Sequence, residues 1–169
     1  MDKIINVADY IIKRYYELTG EHLDEMKLHK LLYFTQRESF AILGKPAFEG
    51  DFEGWKYGPV SRDVRNNFIN GEIVVPTTQV SDQIQYIASN VIMEYGSLAS
   101  WKLSELSHRE NSWLNSRQGL TQTENGNRTI VLNDIKEDAK KVRPYDHVWD
   151  MYYDEFEDDD TDEVSLYDR

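Results

Sequence analysis

Two stretches of the chain repeat their apolar residues at the spacing of an α-helix, and this constrains the fold more than any other feature. Over residues 3–18, Ile4, Ala8, Ile11, Tyr15 and Leu18 fall three or four apart, and Ile5, Ile12 and Tyr16 widen the stripe. Gly20 follows as a stop. Asp24 is placed to cap a second helix, in which Leu28, Leu31, Leu32, Thr35, Ile42 and Leu43 mark one face. Gly44 and then Pro46 terminate it. A helix of that length with an apolar face is expected to be central, with the others packed around it.

The rest of the chain continues the helical theme with brief interruptions. Phe48 to Tyr57 alternates and is bracketed by Gly50 and Gly58, which suits a short strand or extended turn. Pro59 or Ser61 begins a helix through Val64 and Phe68 that ends near Asn70-Gly71. Residues 71–81 read as a loop with a β-like run at Ile73-Val74-Val75. Asp82 is the expected cap of a helix with Ile84, Ile87, Ala88, Val91, Ile92 and Tyr95 on its inner face, closed by Gly96. A shorter helix at 100–108 carries Trp101, Leu103 and Leu106, and Ser112 is the expected cap of a turn holding Trp113 and Leu114. Residues 118–128 are polar and read as a mobile loop. Thr129–Leu132 reads as a strand, and Asn133 as the cap of a last helix, 134–141. The expectation is therefore a mainly α, compact helical single domain with a minor short β element, spanning residues 1–144. An aromatic and then acidic extension, 145–169, follows it.

Composition narrows the function classes. The chain of 169 residues has no cysteine, which removes disulfides, thiolate metal sites and a cysteine nucleophile. Neither an export signal nor a membrane-spanning apolar run is legible, so the expected location is the cytoplasm. The net charge of −12 disfavours nucleic acid and anionic membranes as direct partners. That charge is uneven. From Asp154 to Arg169 there are nine acids and one base, leaving residues 1–153 with 22 acids and 18 bases.

Catalytic constellations are not legible. The four histidines, His22, His29, His108 and His147, lack metal-ligand spacing, and there is no phosphate loop or nucleophile elbow. His108, close to Glu105, is the most tempting base. At a helix end, however, a histidine more often bonds the last carbonyls, so His108 is assigned a structural role. No catalytic residue, cofactor or metal is expected. Trp55, Tyr57, Gly58 and Pro59 form the densest unusual cluster. Trp55 and Gly58 are read as parts of a packed turn, with glycine and proline setting the dihedrals. Tyr57 and Arg62 fit either such a turn or a partner-binding surface and are retained as candidates for the latter.

These residues carry a resemblance. Lys27-Leu28-His29-Lys30-Leu31-Leu32-Tyr33 resembles the Lys-Leu-x-Lys-Leu-Leu-Tyr signature of the Panacea (SocA-like) antitoxin domain, also met in phage-associated GepA-like proteins. Gly44-Lys45-Pro46 with Phe48 is similar to its Gly-Lys-Pro-Leu-Phe segment, and Glu53-Gly54-Trp55-Lys56-Tyr57-Gly58-Pro59-Val60 to its Glu-Ala-Trp-x-x-Gly-Pro-Val segment. Leu103-Ser104-Glu105-Leu106-Ser107-His108, with Trp113 downstream, resembles its Leu-Ser-x-Leu-Thr-His…Trp segment. Gly54 stands where alanine is common and Ser107 where threonine is usual. The order of the four segments, over most of residues 3–141, is more specific than any one of them.

The resemblance implies a non-enzymatic antitoxin that neutralises a cognate protein toxin by direct binding. An alternative within the family is an adaptor delivering the toxin to a ClpXP-type AAA+ protease. A further alternative, read from the acidic tail rather than from the family, is a phage acidic protein that blocks a host nucleic-acid-binding factor. Lys30, Leu31, Tyr33, Trp55, Gly58, Pro59, His108 and Trp113 are expected to define the fold. The extension lies outside the family pattern. There Trp149, Tyr152, Tyr153 and Phe156 could anchor on a partner, and Asp158, Asp159 and Asp160 could steer its approach.

Overall fold

The computed structural model describes residues 1–142. In chain order the elements are β1 (Asp2–Lys3), α1 (Ile4–Thr19), α2 (Glu25–Leu43), β2 (Phe48–Glu49), β3 (Glu53–Trp55), β4 (Gly58–Val60), α3 (Arg62–Asn67), β5 (Phe68–Ile69), β6 (Glu72–Ile73), α4 (Asp82–Tyr95), α5 (Ser100–Ser107), α6 (Asn111–Ser116) and α7 (Leu132–Ala139). The strands form three two-stranded pairs: β1 parallel to β2, and the antiparallel hairpins β3–β4 and β5–β6. The protein is thus mainly α, as expected.

α2 is the axis of the fold. Every residue from Lys27 to Ser39 is buried, because α1, α4, α5, α7 and β4 all pack on it. A helix enclosed on all sides has no polar face, so its polar residues need internal partners. Gln36 accepts from the Ala47 amide (2.7 Å) and donates to the Phe48 carbonyl (3.3 Å), and Ser39 donates to the Lys45 carbonyl (2.8 Å). These bonds hold the turn that leads to β2. Arg37 donates to Glu110 and to the Tyr95 hydroxyl and lies over the Phe34 ring. Burial, and then the neighbouring Glu94 carboxyl, raise the pKa of Glu38 and keep its proton on. The single apolar stripe expected for α2 is therefore a simplification, and Ile42, assigned to it, is 40% exposed near the helix end.

The flanking helices follow their stripes. Ile4, Ala8, Ile11 and Tyr15 of α1, and Ile84, Ile87, Ala88, Val91 and Ile92 of α4, are buried in the same core as Leu28, Leu31 and Leu32. Leu18, Tyr16 and Trp101 are exposed instead, Tyr16 stacking on His22 past the end of its helix. α1 and α2 end at Gly20 and Gly44, as expected.

Several caps and short elements differ from expectation. Ser61, not Pro59, caps α3, accepting from the Val64 amide (3.2 Å), and the helix stops at Asn67 because Phe68 enters a hairpin with Ile73. That hairpin takes only Ile73 of the expected Ile73–Val75 run. α4 starts at Asp82, with Ser81 rather than Asp82 at the cap position. Ser112 is inside α6; the cap function comes from across the fold, where Asp138 of α7 accepts from the Asn111 and Ser112 amides (3.1 and 2.8 Å). The strand expected at Thr129–Leu132 is a single antiparallel bridge, Thr129 to Glu53, since Leu132 already belongs to α7. Asn133 likewise lies within α7, behind Val131 as cap. Residues 118–128 are irregular, but Arg117 ties them down by donating to the carbonyls of Thr121 and Glu124.

Candidate binding pocket

The β3–β4 hairpin carries the residues that stood out in the sequence. Its register is Glu53 to Val60, Gly54 to Pro59 and Trp55 to Gly58, with Lys56 and Tyr57 forming the turn. Gly58 has φ +115°, in the region favouring glycine, and a Cβ there would overlap Ser107 Oγ of α5 and the Lys30 stem. Gly54 meets Ser116 of α6 as closely, which leaves no room for the alanine common at this place in the resembling segment.

The remaining signature residues hold the hairpin against the helices. Lys30 Nζ donates to the Pro59 carbonyl (3.1 Å), and Trp113 Nε1 donates to the Trp55 carbonyl (2.8 Å). Arg117 donates to the Gly54 carbonyl (3.0 Å). The Gly54 amide donates to the Arg128 carbonyl (2.8 Å), and the Ile130 amide to that of Phe52 (2.7 Å). Tyr33 shares a 2.6 Å hydrogen bond with Ser112, beside the Asp138 carboxylate that caps α6. Leu31 is fully buried.

His108 takes a different structural role from the one expected. Its ring stacks on Trp113 (centroids 4.1 Å apart, 14° between planes) and does not bond the last carbonyls of its own helix. Burial depresses its pKa, and the Lys56 carbonyl partly offsets this. Glu105, the imagined orienting carboxylate, pairs instead with Arg109 (3.0 Å) and Lys102 (3.5 Å). Among the described residues, no cluster of three or more histidine and carboxylate side chains is placed to hold a metal ion.

Beneath the outer face of the hairpin lies a pocket of about 810 Å³. α2 supplies Glu25, Met26, His29 and Lys30; the hairpin supplies Trp55, Lys56, Tyr57 and Val60; α3 supplies Arg65; and Asn125 to Asn127 close one side. One network orders its walls. The Ser61 amide donates to His29 Nδ1 (3.2 Å), which leaves the ring proton on Nε2 to donate to Glu25 (3.1 Å). The ring is neutral in that arrangement, and burial holds its pKa below the usual value. The hydrogen bond from His29 lowers the Glu25 pKa, with Arg65, 2.8 Å away, adding to it. Arg62 grips Glu53 through two nitrogens (3.1 and 3.0 Å), and Glu53 also accepts from Trp55 Nε1 (2.9 Å). Arg62 and Arg65 both lie over the Trp55 ring, at 5.3 and 5.2 Å. At the floor is Lys30, 1% exposed, whose pKa burial pushes down to about 7 against the opposing pull of Asp24 and Glu25.

Trp55 is accordingly half-buried in a pocket wall rather than in the core, and Tyr57 is 56% exposed on the rim. Arg62 is exposed behind the wall and does not line the pocket. Trp149, Tyr152, Tyr153, Phe156, Asp158, Asp159 and Asp160 lie outside the described residues. Sequence reasoning missed Glu25, His29, Lys56, Arg65 and the 125–127 segment. The first two were visible as a Glu-x-x-x-His pair on one helix face. The others are assembled only by the tertiary fold.

Comparison with known proteins agrees with these features. The sequence model of the family described as antitoxin SocA-like, Panacea domain, matches residues 28–114, which run from α2 to α6 and include the hairpin. A curated relative, Antitoxin SocA from Caulobacter vibrioides (strain NA1000 / CB15N), is 23% identical over 51% of this chain and 55% of its own length. The chain thus spans about half the length of the curated relative it matches. No solved structure matches.

Proposed function

The chain belongs to the SocA-like Panacea antitoxin family, and from that premise we propose that it neutralises a cognate protein toxin by binding it directly, without catalysis. The family match over residues 28–114 carries this reading. The pocket supports it: aromatic, cationic and amide side chains converge on an open concavity, with Tyr57 projecting at its edge as an anchor. In this reading Tyr57 contacts the toxin, and Arg62 holds the wall through Glu53 and Trp55. No helix among the described residues is long and apolar enough to cross a membrane.

The extension at 145–169 is proposed to help. Its nine acids from Asp154 onward suit the basic face of a toxin that acts on nucleic acid, and its aromatics suit anchoring. Co-expression with the product of the neighbouring gene tests the proposal, with growth, co-purification and toxin abundance as readouts. Growth rescue with a stable stoichiometric complex is expected. Rescue accompanied by loss of the toxin protein would replace blocking with delivery to a protease, and absence of both rescue and complex would refute the antitoxin reading. Full-length Asp158→Asn/Asp159→Asn/Asp160→Asn should slow association most at low salt. An unchanged association rate would leave the extension without a binding role.

A further inference from the structure

The pocket has a chemical bias. Its spare hydrogen-bonding capacity is mostly donor. Lys30 uses one N–H on the Pro59 carbonyl and keeps at least one more whether or not it is protonated. Lys56 has no carboxylate partner among the described residues and lies over its neighbour Tyr57 (5.2 Å). Arg65 spends one nitrogen on Glu25 and keeps the rest of its fork, and the side-chain amides of Asn125 and Asn127 are likewise unspent among the described residues. The one carboxylate in the lining, Glu25, is already held by His29 and Arg65. Met26, Val60, Trp55 and Tyr57 supply apolar walls. Acids outnumber bases in the chain, 31 to 19, so two cations, Lys56 and Arg65, facing one open cavity above the Lys30 amine are a local inversion of its charge.

We infer that this pocket receives an acidic, extended segment of the protein partner, with a carboxylate facing Lys30, Lys56 and Arg65 and an apolar side chain against Met26, Val60 and Tyr57. Donors in excess select an acceptor-rich ligand, and a carboxylate is the acceptor that cations favour most. A protein segment fits better than a free small acid because the lining pairs these donors with apolar Met26 and Val60 and runs out to Tyr57, 56% exposed, so that one chain can place a carboxylate and an apolar side chain together and continue past the rim. The inference rests on the antitoxin reading for the identity of the partner, and on the geometry for its chemistry.

The test uses the full-length ¹⁵N-labelled protein and a defined probe, the blocked tripeptide acetyl-Asp-Phe-Glu-amide, beside its Asn-Phe-Gln counterpart. The acidic probe should shift the Trp55 indole and the Asn125 and Asn127 side-chain amides saturably. The counterpart, and the acidic probe on Lys56→Glu or Arg65→Glu, should bind about tenfold more weakly. Both residues are at least partly exposed, and circular dichroism confirms that the variants fold. The distant Lys13→Glu should bind the probe as the parent does. Absence of saturable shifts, or equal shifts with the amide counterpart, overturns the inference. So does a response that emerges only when Asp158, Asp159 and Asp160 are changed to Asn, because the chain's own extension would then be the occupant. A parallel arm measures binding of the neighbouring gene product to the same variants. A pocket that binds the probe while that product binds nowhere refutes the antitoxin reading alone. A product that binds the parent and both pocket variants equally overturns the inference alone.

Discussion

Lys30→Met separates the cost of burying the lysine from the fold that buries it. The ammonium lies under the β3–β4 hairpin, and burial lowers its pKa from 10.5 to about 7. Between those values the unfolded chain holds a proton that the folded chain lacks. Stability therefore rises with pH across that window, by at most about 1.4 kcal/mol per unit. From pH 7 to pH 9 the wild type should gain about 2 kcal/mol on this account, a little less than two full units because Lys30 is half-protonated at pH 7. The variant lacks the titration but also leaves the Pro59 carbonyl without its donor, a roughly constant cost of about 1–3 kcal/mol. The informative quantity is thus the change with pH in the difference between the two proteins. Urea unfolding at pH 7, 8 and 9 measures it, and contributions from Glu38 and other groups cancel in the difference. A wild type and variant that respond to pH in parallel, within about 0.5 kcal/mol, would refute the assignment of Lys30 as a lysine held near neutrality.

Other expectations follow from single contacts. Leu31→Ala removes a fully buried side chain from the central helix and should cost about 2–5 kcal/mol in urea unfolding; a change within error would move Leu31 out of the core. Gly58→Ala forces a side chain into a strained φ and against Ser107 and Lys30, so it should lower stability by about 1–3 kcal/mol, read as a fall in the denaturation midpoint. Glu38 retains its proton when folded, so its contribution to stability is complete below pH 4.5 and is lost as pH rises through its raised pKa; Glu38→Gln should flatten the pH profile over that range. His108→Ala loses the stacking on Trp113, worth about 1 kcal/mol, yet should still rescue growth from the toxin. A folded His108→Ala protein that fails to rescue would reopen an enzymatic reading.

The helices were legible because their information is local. Apolar residues three or four apart in 3–18 and 84–95 report the buried faces of α1 and α4 without reference to anything else. α2 shows where that logic ends. Its type and length follow from Asp24, Gly44 and the leucines, but the burial of Gln36, Arg37 and Glu38 depends on partners 11 to 73 residues away. The cap of α6 failed for the same reason. Ser112 looks like a cap in sequence, whereas the carboxylate that satisfies the α6 amides comes from Asp138 on another helix. The short strands were missed or over-extended because two paired residues leave no period to detect.

The pocket combines both kinds of information, which explains why only part of it was foreseen. Trp55, Gly58 and Pro59 announce a tight hairpin, but the hairpin alone is a turn. It becomes a wall when Lys30, Trp113 and Arg117 fix its carbonyls from three directions, and it gains chemistry when Arg65 and Asn125 to Asn127 arrive from elsewhere. The signature residues therefore act on the framework, by donating to backbone carbonyls, whereas Lys56, Tyr57 and Arg65 present what a partner would meet. Such a division lets rim residues vary without loss of the fold, since the side chains of Lys56 and Tyr57 make no hydrogen bond to a core group among the described residues. Partner choice is then a matter of rim charge and shape, and changing Lys56 or Tyr57 should redirect binding while leaving the unfolding midpoint within a small margin of the parent.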